Sequence, residues 1–195
     1  MDDRVRELHC IMPMANIPSV MTHGILSYER AAALVHHSVA LQPIQEMRDQ
    51  KQVPSGLRLH QYANLYFHAR NPMMFKRKAE AASLCILRVS TAVLGLEGTV
   101  ITDQNAASKY VRFLAPSQWA QLDFDDIYAM DWRHPGDQIA YWRHSARKCA
   151  EALVPHGVDC EHLLGAYVVS TVAQAQLVGL GFTLPVAINP VLFFS

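Results

Sequence analysis

The chain has 195 residues, of which 51% are hydrophobic and 17% are charged. A chain of this size and composition can close one hydrophobic core, so we expect a single domain over residues 1–195. Its 17 lysine and arginine residues balance 17 aspartate and glutamate residues. This balance argues against a protein that coats duplex DNA through a broad basic surface, but it leaves room for a local basic groove.

The sequence also carries no sign of a membrane, an export signal or a metal. No apolar run reaches the roughly 18 residues that span a bilayer, and the first residues lack the basic and then apolar order of a signal peptide. The four cysteines form no CxxC pair, and the ten histidines lack the spacing of a metal site. We therefore expect a cytosolic protein with buried thiols, no metal and no membrane partner.

The N-terminal third predicts a strand, a short helix and a long loop. An apolar run around His9 predicts the strand, and residues 18–23 predict the helix, because Pro18 suits a first helical turn and Gly24 suits a helix end. Residues 28–59 have little strand signal apart from a short helix predicted over 43–50. Such a stretch is typical of a functional loop, and we expect it to fold over a ligand.

The rest of the chain is richer in strand patterns. The aromatic segment 59–75 predicts a strand that ends at the turn formed by Asn71 and Pro72. Further strands are predicted over residues 84–89, 99–103, 149–154 and 165–170, and a helix is predicted over 171–178. Short strands with few helices between them indicate an α+β domain with a largely antiparallel sheet.

Glu151 is unusual because it interrupts an otherwise apolar strand, CAEALV, at residues 149–154. A carboxylate in such a strand either has a partner or is retained for chemistry. Two ordinary explanations stay open from the residues alone. The strand is at a sheet edge with Glu151 facing water, or Glu151 forms an ion pair with Arg147, four residues earlier.

Other side chains suit an anionic or aromatic ligand. Arg70 follows the aromatic strand and has the forked donors that bind phosphate groups, with a surface ion pair as the alternative. Stacking on a nicotinamide, an adenine or a nucleobase is open to Tyr62, Tyr66 and Phe67, although strand alternation would bury some of them. The chain contains no GxGxxG, GxxxxGK[ST] or HExxH pattern, which argues against Rossmann, P-loop and zinc-peptidase chemistry.

Basic residues are concentrated in two places. The first cluster is KRK at residues 76–78, and the second comprises Arg143, Arg147 and Lys148. Tryptophans at positions 119, 132 and 142 lie in the region that leads to Glu151. These side chains could form a groove that neutralises phosphates and stacks on unpaired bases, or they could form a solvated basic face.

Five motifs occur in an order that resembles the DarT family of DNA ADP-ribosyltransferases, over nearly the whole chain. They are HCIMPMAN at residues 9–16, HGILS at 23–27, YANLYFHARNPMM at 62–74, VITDQNAAS at 100–108 and KCAEALVP at 148–155. The resemblance implies an ADP-ribosyltransferase fold with two small, mainly antiparallel sheets around an NAD cleft and with peripheral helices. It also implies single-stranded DNA as acceptor and a macrodomain antitoxin that reverses the modification.

The same resemblance implies the site residues. Glu151 and Arg70 would be catalytic. The NAD-binding set would comprise His9, Cys10, Ile11, Met12, Ser19, Gly24, Ser27, Tyr62, Asn64, Phe67 and Arg70. The nucleic acid would contact Trp142, Arg143, Arg147 and Lys148. Family members tend to carry threonine where this chain has Met12.

The spacing between His9 and Asn16 and the long segment 28–59 favour the guanine-modifying branch of this family. The alternatives are the same chemistry on thymine, RNA or protein, and a non-catalytic module that binds NAD or nucleic acid. The presence of both Glu151 and Arg70 argues against the non-catalytic module.

Overall fold

The computed structural model describes residues 2–37, 42–54 and 56–195, without the side chains of residues 42–44. Its strands are β1 (Leu8–Pro13), β2 (Ile25–Leu26), β3 (Tyr62–Tyr66), β4 (Leu84–Val89), β5 (Val100–Thr102), β6 (Phe113–Leu114), β7 (Glu151–Pro155), β8 (Gly157–Val158), β9 (Leu163–Val168) and β10 (Val186–Ile188). Its α-helices are α1 (Ile17–His23), α2 (Tyr28–Ala31), α3 (Gln42–Asp49), α4 (Pro72–Lys76), α5 (Phe124–Tyr128), α6 (Gln138–Arg147) and α7 (Thr171–Gly179). Within these ranges no helix is long and apolar enough to cross a bilayer.

The strands form one large sheet and one small sheet. The large sheet has eight strands in the order β10-β9-β4-β1-β3-β7-β5-β6, and β2 pairs with β8 in the small sheet. Every strand pair is antiparallel except β9 with β10. The α+β class with a mainly antiparallel sheet is confirmed, but the two sheets are unequal in size rather than both small.

Apolar side chains cover both faces of the large sheet near its centre. On β1, Leu8 and Cys10 pack into the main core, whereas Ile11 packs into a second cluster with Tyr66 and Met74. Successive strand residues point to opposite faces, so a central strand that is buried on both sides becomes apolar throughout. The continuous apolar runs of β4 and β7 have this origin.

Local signals in the sequence set several helix ends. Helix α1 carries Pro18 in its first turn and ends at Gly24, whose φ of 72° favours glycine. At the start of α4, the Asn71 side chain accepts a hydrogen bond from the backbone N–H of Met74. The Asp137 side chain caps α6 in the same way, by accepting from the N–H of Ala140.

Two expectations need correction. The strand predicted over residues 149–154 begins at Glu151, because Cys149 and Ala150 belong to the turn that closes α6. Helices are also more numerous than the strand-rich pattern indicated, and α6 was not predicted. The predicted loop over residues 28–59 contains α2 and α3, while residues 38–41 and Ser55 within it lie outside the described residues.

Candidate active site

A cleft of about 280 Å³ lies where β1 and β3 meet α1, α2 and α3. The sheet side includes Ile11, Tyr62 and Asn64, and the helical side includes Ser19 and Arg48. The segment predicted to cover a ligand contributes further lining residues, namely Tyr28, Ala31, Leu34, His36, His37 and Gln45. The cleft is therefore bounded by sheet on one side and by the N-terminal helices on the other.

Glu151 does not itself line this cleft; it lies directly behind Arg48, which does. Its side chain is fully buried, and the Arg48 Nη1 atom lies 3.2 Å from Oε2 and 3.4 Å from Oε1. The backbone N–H of Ala106 donates to Oε1 at 3.1 Å. One cation and one backbone donor thus hold the carboxylate, which satisfies a charge that would be costly to bury alone.

The backbone of Glu151 is held by Thr102 on β5. The Glu151 N–H donates to the Thr102 hydroxyl oxygen at 3.0 Å, and that hydroxyl donates to the Glu151 carbonyl oxygen at 3.3 Å. Thr102 is itself fully buried. The Thr102 side chain extends the pairing of β5 with β7 beyond the last backbone pair, Ile101 with Ala152. These hydrogen bonds fix the position of the Glu151 backbone, and therefore the point from which the Glu151 side chain projects.

Both ordinary explanations for Glu151 are excluded by this arrangement. Strand β7 lies between β3 and β5, so Glu151 is not at a sheet edge. Arg147 instead pairs with Asp126 at 2.7 Å and Asp123 at 3.4 Å. Glu151 stands directly opposite Tyr66 on β3, so the two side chains share the sheet face that borders the cleft.

The structure brings together some, but not all, of the predicted NAD-binding residues. Seven of them line the cleft: Cys10, Ile11, Met12, Ser19, Gly24, Tyr62 and Asn64. Four others do not line it: His9, Ser27, Phe67 and Arg70.

Three of the four residues that do not line the cleft make other contacts, which explain their positions. The His9 ring nitrogens lie 3.2 Å from the Phe67 carbonyl oxygen and 3.3 Å from Glu7 Oε1, so both are occupied. Ser27 caps α2 by accepting from the N–H of Arg30. Phe67 points to the opposite sheet face, where its ring meets Phe124 edge-on at 5.8 Å.

The fourth residue that does not line the cleft, Arg70, contacts the C-terminal segment instead. Its guanidinium carbon lies 3.9 Å from the centre of the Phe194 ring, and it donates hydrogen bonds to the carbonyl oxygens of Val191 and Met130. The arginine beside the buried carboxylate is therefore Arg48, not the predicted Arg70.

The predicted nucleic-acid residues do not form one basic surface. Lys148 is fully buried, and its Nζ donates to the carbonyl oxygens of Ile127 and Ala129 at 2.7 and 2.8 Å. Burial lowers the pKa of Lys148 to about 7. The expectation of a phosphate contact from Lys148 is wrong for this reason, and the charge of Arg147 is neutralised by its two aspartates. Only Arg143 and Trp142 of this set are both exposed and unpaired within the described structure.

Sequence reasoning missed Arg48 and Asn16. The Asn16 side chain donates to the His37 carbonyl oxygen at 2.7 Å and accepts from the His37 N–H at 2.8 Å, which fastens residue 37 beside the cleft. Arg48 lies on a short helix with no motif around it, and its partner is 103 positions away. The available signal was the polarity of Asn16 within the first motif. Among the described residues, no group of three or more histidine, cysteine or acidic side chains could hold a metal ion.

Comparisons with known proteins identify the family of the chain. The family described as "ssDNA thymidine ADP-ribosyltransferase, DarT" matches residues 9–194. The chain belongs to the DarT family. It is 30% identical over 177 residues to a DNA ADP-ribosyl transferase–DNA ADP-ribosyl glycohydrolase fusion protein of Thermosipho africanus, covering 85% of this chain and 43% of that protein.

Two solved DarT structures share the fold. Thermosipho africanus DarTG in complex with ADP-ribose has a TM-score of 0.82 and 26% identity, over 97% of this chain and 51% of that one. DarT of Thermus sp. 2.9 in complex with ADP-ribosylated ssDNA has a TM-score of 0.84 and 22% identity, over 97% and 96% of the chains. The Thermus protein is also solved with NAD+. The chain thus spans about half the length of the Thermosipho protein.

Proposed function

We propose that this protein transfers ADP-ribose from NAD to a base in single-stranded DNA. The observation that carries the proposal is Glu151, a fully buried carboxylate held by a backbone N–H and by Arg48, the side chain that separates it from the cleft. The family match and the complexes of the DarT relatives with NAD+ and with ADP-ribosylated ssDNA support the choice of donor and acceptor.

The reaction needs a negative charge near the ribose. When the bond between nicotinamide and ribose breaks, its electron pair leaves with nicotinamide and positive charge develops on the sugar. Glu151 would stabilise that charge, because a fixed carboxylate in a dry site is already oriented for it. Arg48 faces the cleft and would hold the carboxylate in place and orient the acceptor. An acceptor amine that attacks the sugar carbon would release its proton to the Glu151 carboxylate.

For the acceptor we propose guanine, whose exocyclic amine is the attacking group. The spacing between His9 and Asn16 and the length of segment 28–59 support this choice. The family description names thymidine, so thymine is the competing acceptor. In either case the base must be unstacked to present its edge, which favours single strands over duplexes.

Radiolabelled NAD offered with homopolymer oligonucleotides tests these statements together. Label is expected on oligo(dG)-containing strands, with an adduct on the guanine amine in mass spectra of the digested nucleosides. Label on oligo(dT) alone would replace guanine by thymine, whereas label on protein or RNA alone would overturn the DNA assignment.

The role of Glu151 is tested by Glu151→Ala. Loss of a preorganised catalytic charge lowers rates by about 100-fold or more; because the variant also leaves Arg48 buried without its partner, the rate is compared at a temperature at which NAD binding shows that the variant is folded. Glu161→Ala is the matched control, because Glu161 is an exposed carboxylate whose side chain is 77% accessible. Full label transfer by Glu151→Ala would exclude a catalytic role.

We further propose that the protein is a toxin that acts with an ADP-ribosyl glycohydrolase, of macrodomain type, as antitoxin. The support is the Thermosipho relative, in which the two activities are named in one fusion protein. Removal of label from modified DNA by such a glycohydrolase, and rescue of growth when both are expressed, are the expected results. A protein that is harmless when expressed alone would contradict the toxin assignment.

A further inference from the structure

An exposed aromatic and cationic surface lies beside the mouth of the cleft. We define the Phe75 patch as Arg70, Phe75, Lys76, Lys78 and Phe194. Phe75 is 45% exposed although it is a large apolar side chain on α4. Its neighbour Lys76 lines the cleft, so the patch is continuous with the candidate active site.

The aromatic part of the patch is rigidly supported. The Phe75 ring meets the Phe194 ring at 5.1 Å and the buried Trp132 ring at 6.0 Å, in both cases edge to face. Edge-to-face contacts fix a ring without covering all of it. A ring held in this way loses little conformational entropy when a flat partner stacks on it.

Cations lie over these rings. The Arg70 guanidinium carbon is 3.9 Å from the centre of the Phe194 ring, and the Lys78 Nζ atom is 4.5 Å from the centre of the Phe75 ring. Lys76 and Lys78 are exposed, and neither they nor Arg70 form an ion pair with any described residue. Their positive charge therefore stays available to an anionic partner.

The other basic cluster keeps one cation that is exposed and unpaired within the described structure, Arg143 beside Trp142, but neither residue lines the cleft. Arg147 is paired with two aspartates and Lys148 is buried. The unneutralised charge that borders the cleft is accordingly on the side of α4, together with an exposed ring. This combination matches a single nucleic-acid strand, in which each nucleotide has one phosphate charge and one flat base.

We propose that the Phe75 patch binds the nucleotides of single-stranded DNA that flank the modified base. Phe75 stacks on a base, while Lys78 and Arg70 neutralise neighbouring phosphates. The inference rests on the proposed function, because the transfer reaction is what requires the DNA strand to lead from the patch into the cleft. It assigns Arg70 to the nucleic acid rather than to the pyrophosphate of NAD.

Fluorescence anisotropy with a short labelled oligonucleotide, in the absence of NAD, tests the patch. Phe75→Ala is expected to weaken binding roughly five- to 150-fold, the range for one lost base stack, without changing the salt dependence. The slope of log K against log salt is negative, and Lys78→Gln is expected to make it less steep by about 0.7, the value for one phosphate contact to a single strand. Phe75→Trp should restore affinity.

Tyr110→Ala is the matched control, because Tyr110 is an aromatic side chain with 79% exposure and a lysine, Lys109, over its ring at 5.8 Å, but it does not line the cleft. Its affinity should equal that of the wild type. Unchanged NAD binding by Phe75→Ala shows that this variant is folded, and Lys78→Gln changes a solvent-exposed side chain only. Wild-type affinity in Phe75→Ala together with a wild-type salt slope in Lys78→Gln overturns the proposal.

The outcome is separable from that of the proposed function. If the wild type binds the oligonucleotide through Phe75 but transfers no label from NAD, the transferase proposal fails and the patch stands. If label is transferred while both patch variants keep the wild-type KM for the oligonucleotide, the transferase proposal stands and the patch fails.

Discussion

Arg48 and Glu151 form a buried ion pair, with Nη1 3.2 Å from Oε2 and side-chain exposures of 7% and 0%. The pair joins α3 to β7, and its Arg48 member lines the cleft. Neither charge has the solvent that would otherwise stabilise it, so each ionised group depends on the other. The pair therefore links the stability of the N-terminal helices to the chemistry of the site.

Removing one member of the pair should destabilise the protein strongly. Arg48→Met leaves the Glu151 carboxylate buried without its cation, and we expect the free energy of unfolding to fall by about 3–5 kcal/mol. The double variant Arg48→Met with Glu151→Gln should be more stable than Arg48→Met alone, because no buried charge remains. Urea denaturation measures both, and a double variant that is less stable than the single one would contradict the pairing.

Thr102 should matter through its hydroxyl group. Thr102→Val keeps the shape but leaves the buried N–H of Glu151 without its acceptor, which costs about 1–3 kcal/mol. Thr102→Ser retains the hydroxyl and should stay within about 1 kcal/mol of the wild type. Thermal or urea unfolding distinguishes the two, and equal stability of the valine and serine variants would show that the hydroxyl is unimportant.

Gly24 should not tolerate a side chain. Its φ is 72°, and a Cβ atom there would collide with the carbonyl oxygen of Val158 in the small sheet. We expect Gly24→Ala to lower the free energy of unfolding by more than about 1 kcal/mol and to weaken NAD binding, because Gly24 lines the cleft. Gly95→Ala is the control, since a Cβ atom at Gly95 meets open space. Similar melting temperatures for the two variants would refute this prediction.

Stability should rise with pH between about 7 and 8.5 because of Lys148, below the range in which the cysteine thiols of the unfolded chain ionise. The Lys148 pKa is about 7 in the folded protein and 10.5 for an ordinary lysine, so in this range the unfolded chain binds a proton that the folded protein has released. The free energy of unfolding then increases by up to about 1.4 kcal/mol per pH unit. Below pH 7 both states hold the proton, so the pH dependence from Lys148 vanishes and the cost of burying its charge is fully present.

Lys148→Met isolates that contribution. Urea unfolding at several pH values between about 7 and 8.5 should give a flatter profile for the variant than for the wild type. Parallel profiles would mean that Lys148 does not titrate across this range.

Local sequence patterns predicted much of the secondary structure. The first strand, α1, β4 and α7 follow from apolar runs and from proline and glycine at helix ends, all of which act within a few residues. Helix α6 was missed because it has no apolar buried face: its buried residue is His144, whereas Ile139 and Trp142 are exposed. The expectation that Lys148 lies at the surface was wrong because a lysine can be buried when carbonyl oxygens accept its hydrogen bonds.

The sequence by itself determined the family, the α+β class and the importance of Glu151, because motif order and a carboxylate in an apolar strand are visible without coordinates. Only the tertiary structure decided which arginine accompanies Glu151 and which cations remain free. Arg48 is 103 positions away from Glu151, and whether Arg70, Arg147 or Lys148 is exposed depends on carbonyl oxygens and aspartates from distant elements. Burial and pairing are set by what packs together in space, and sequence spacing does not encode them.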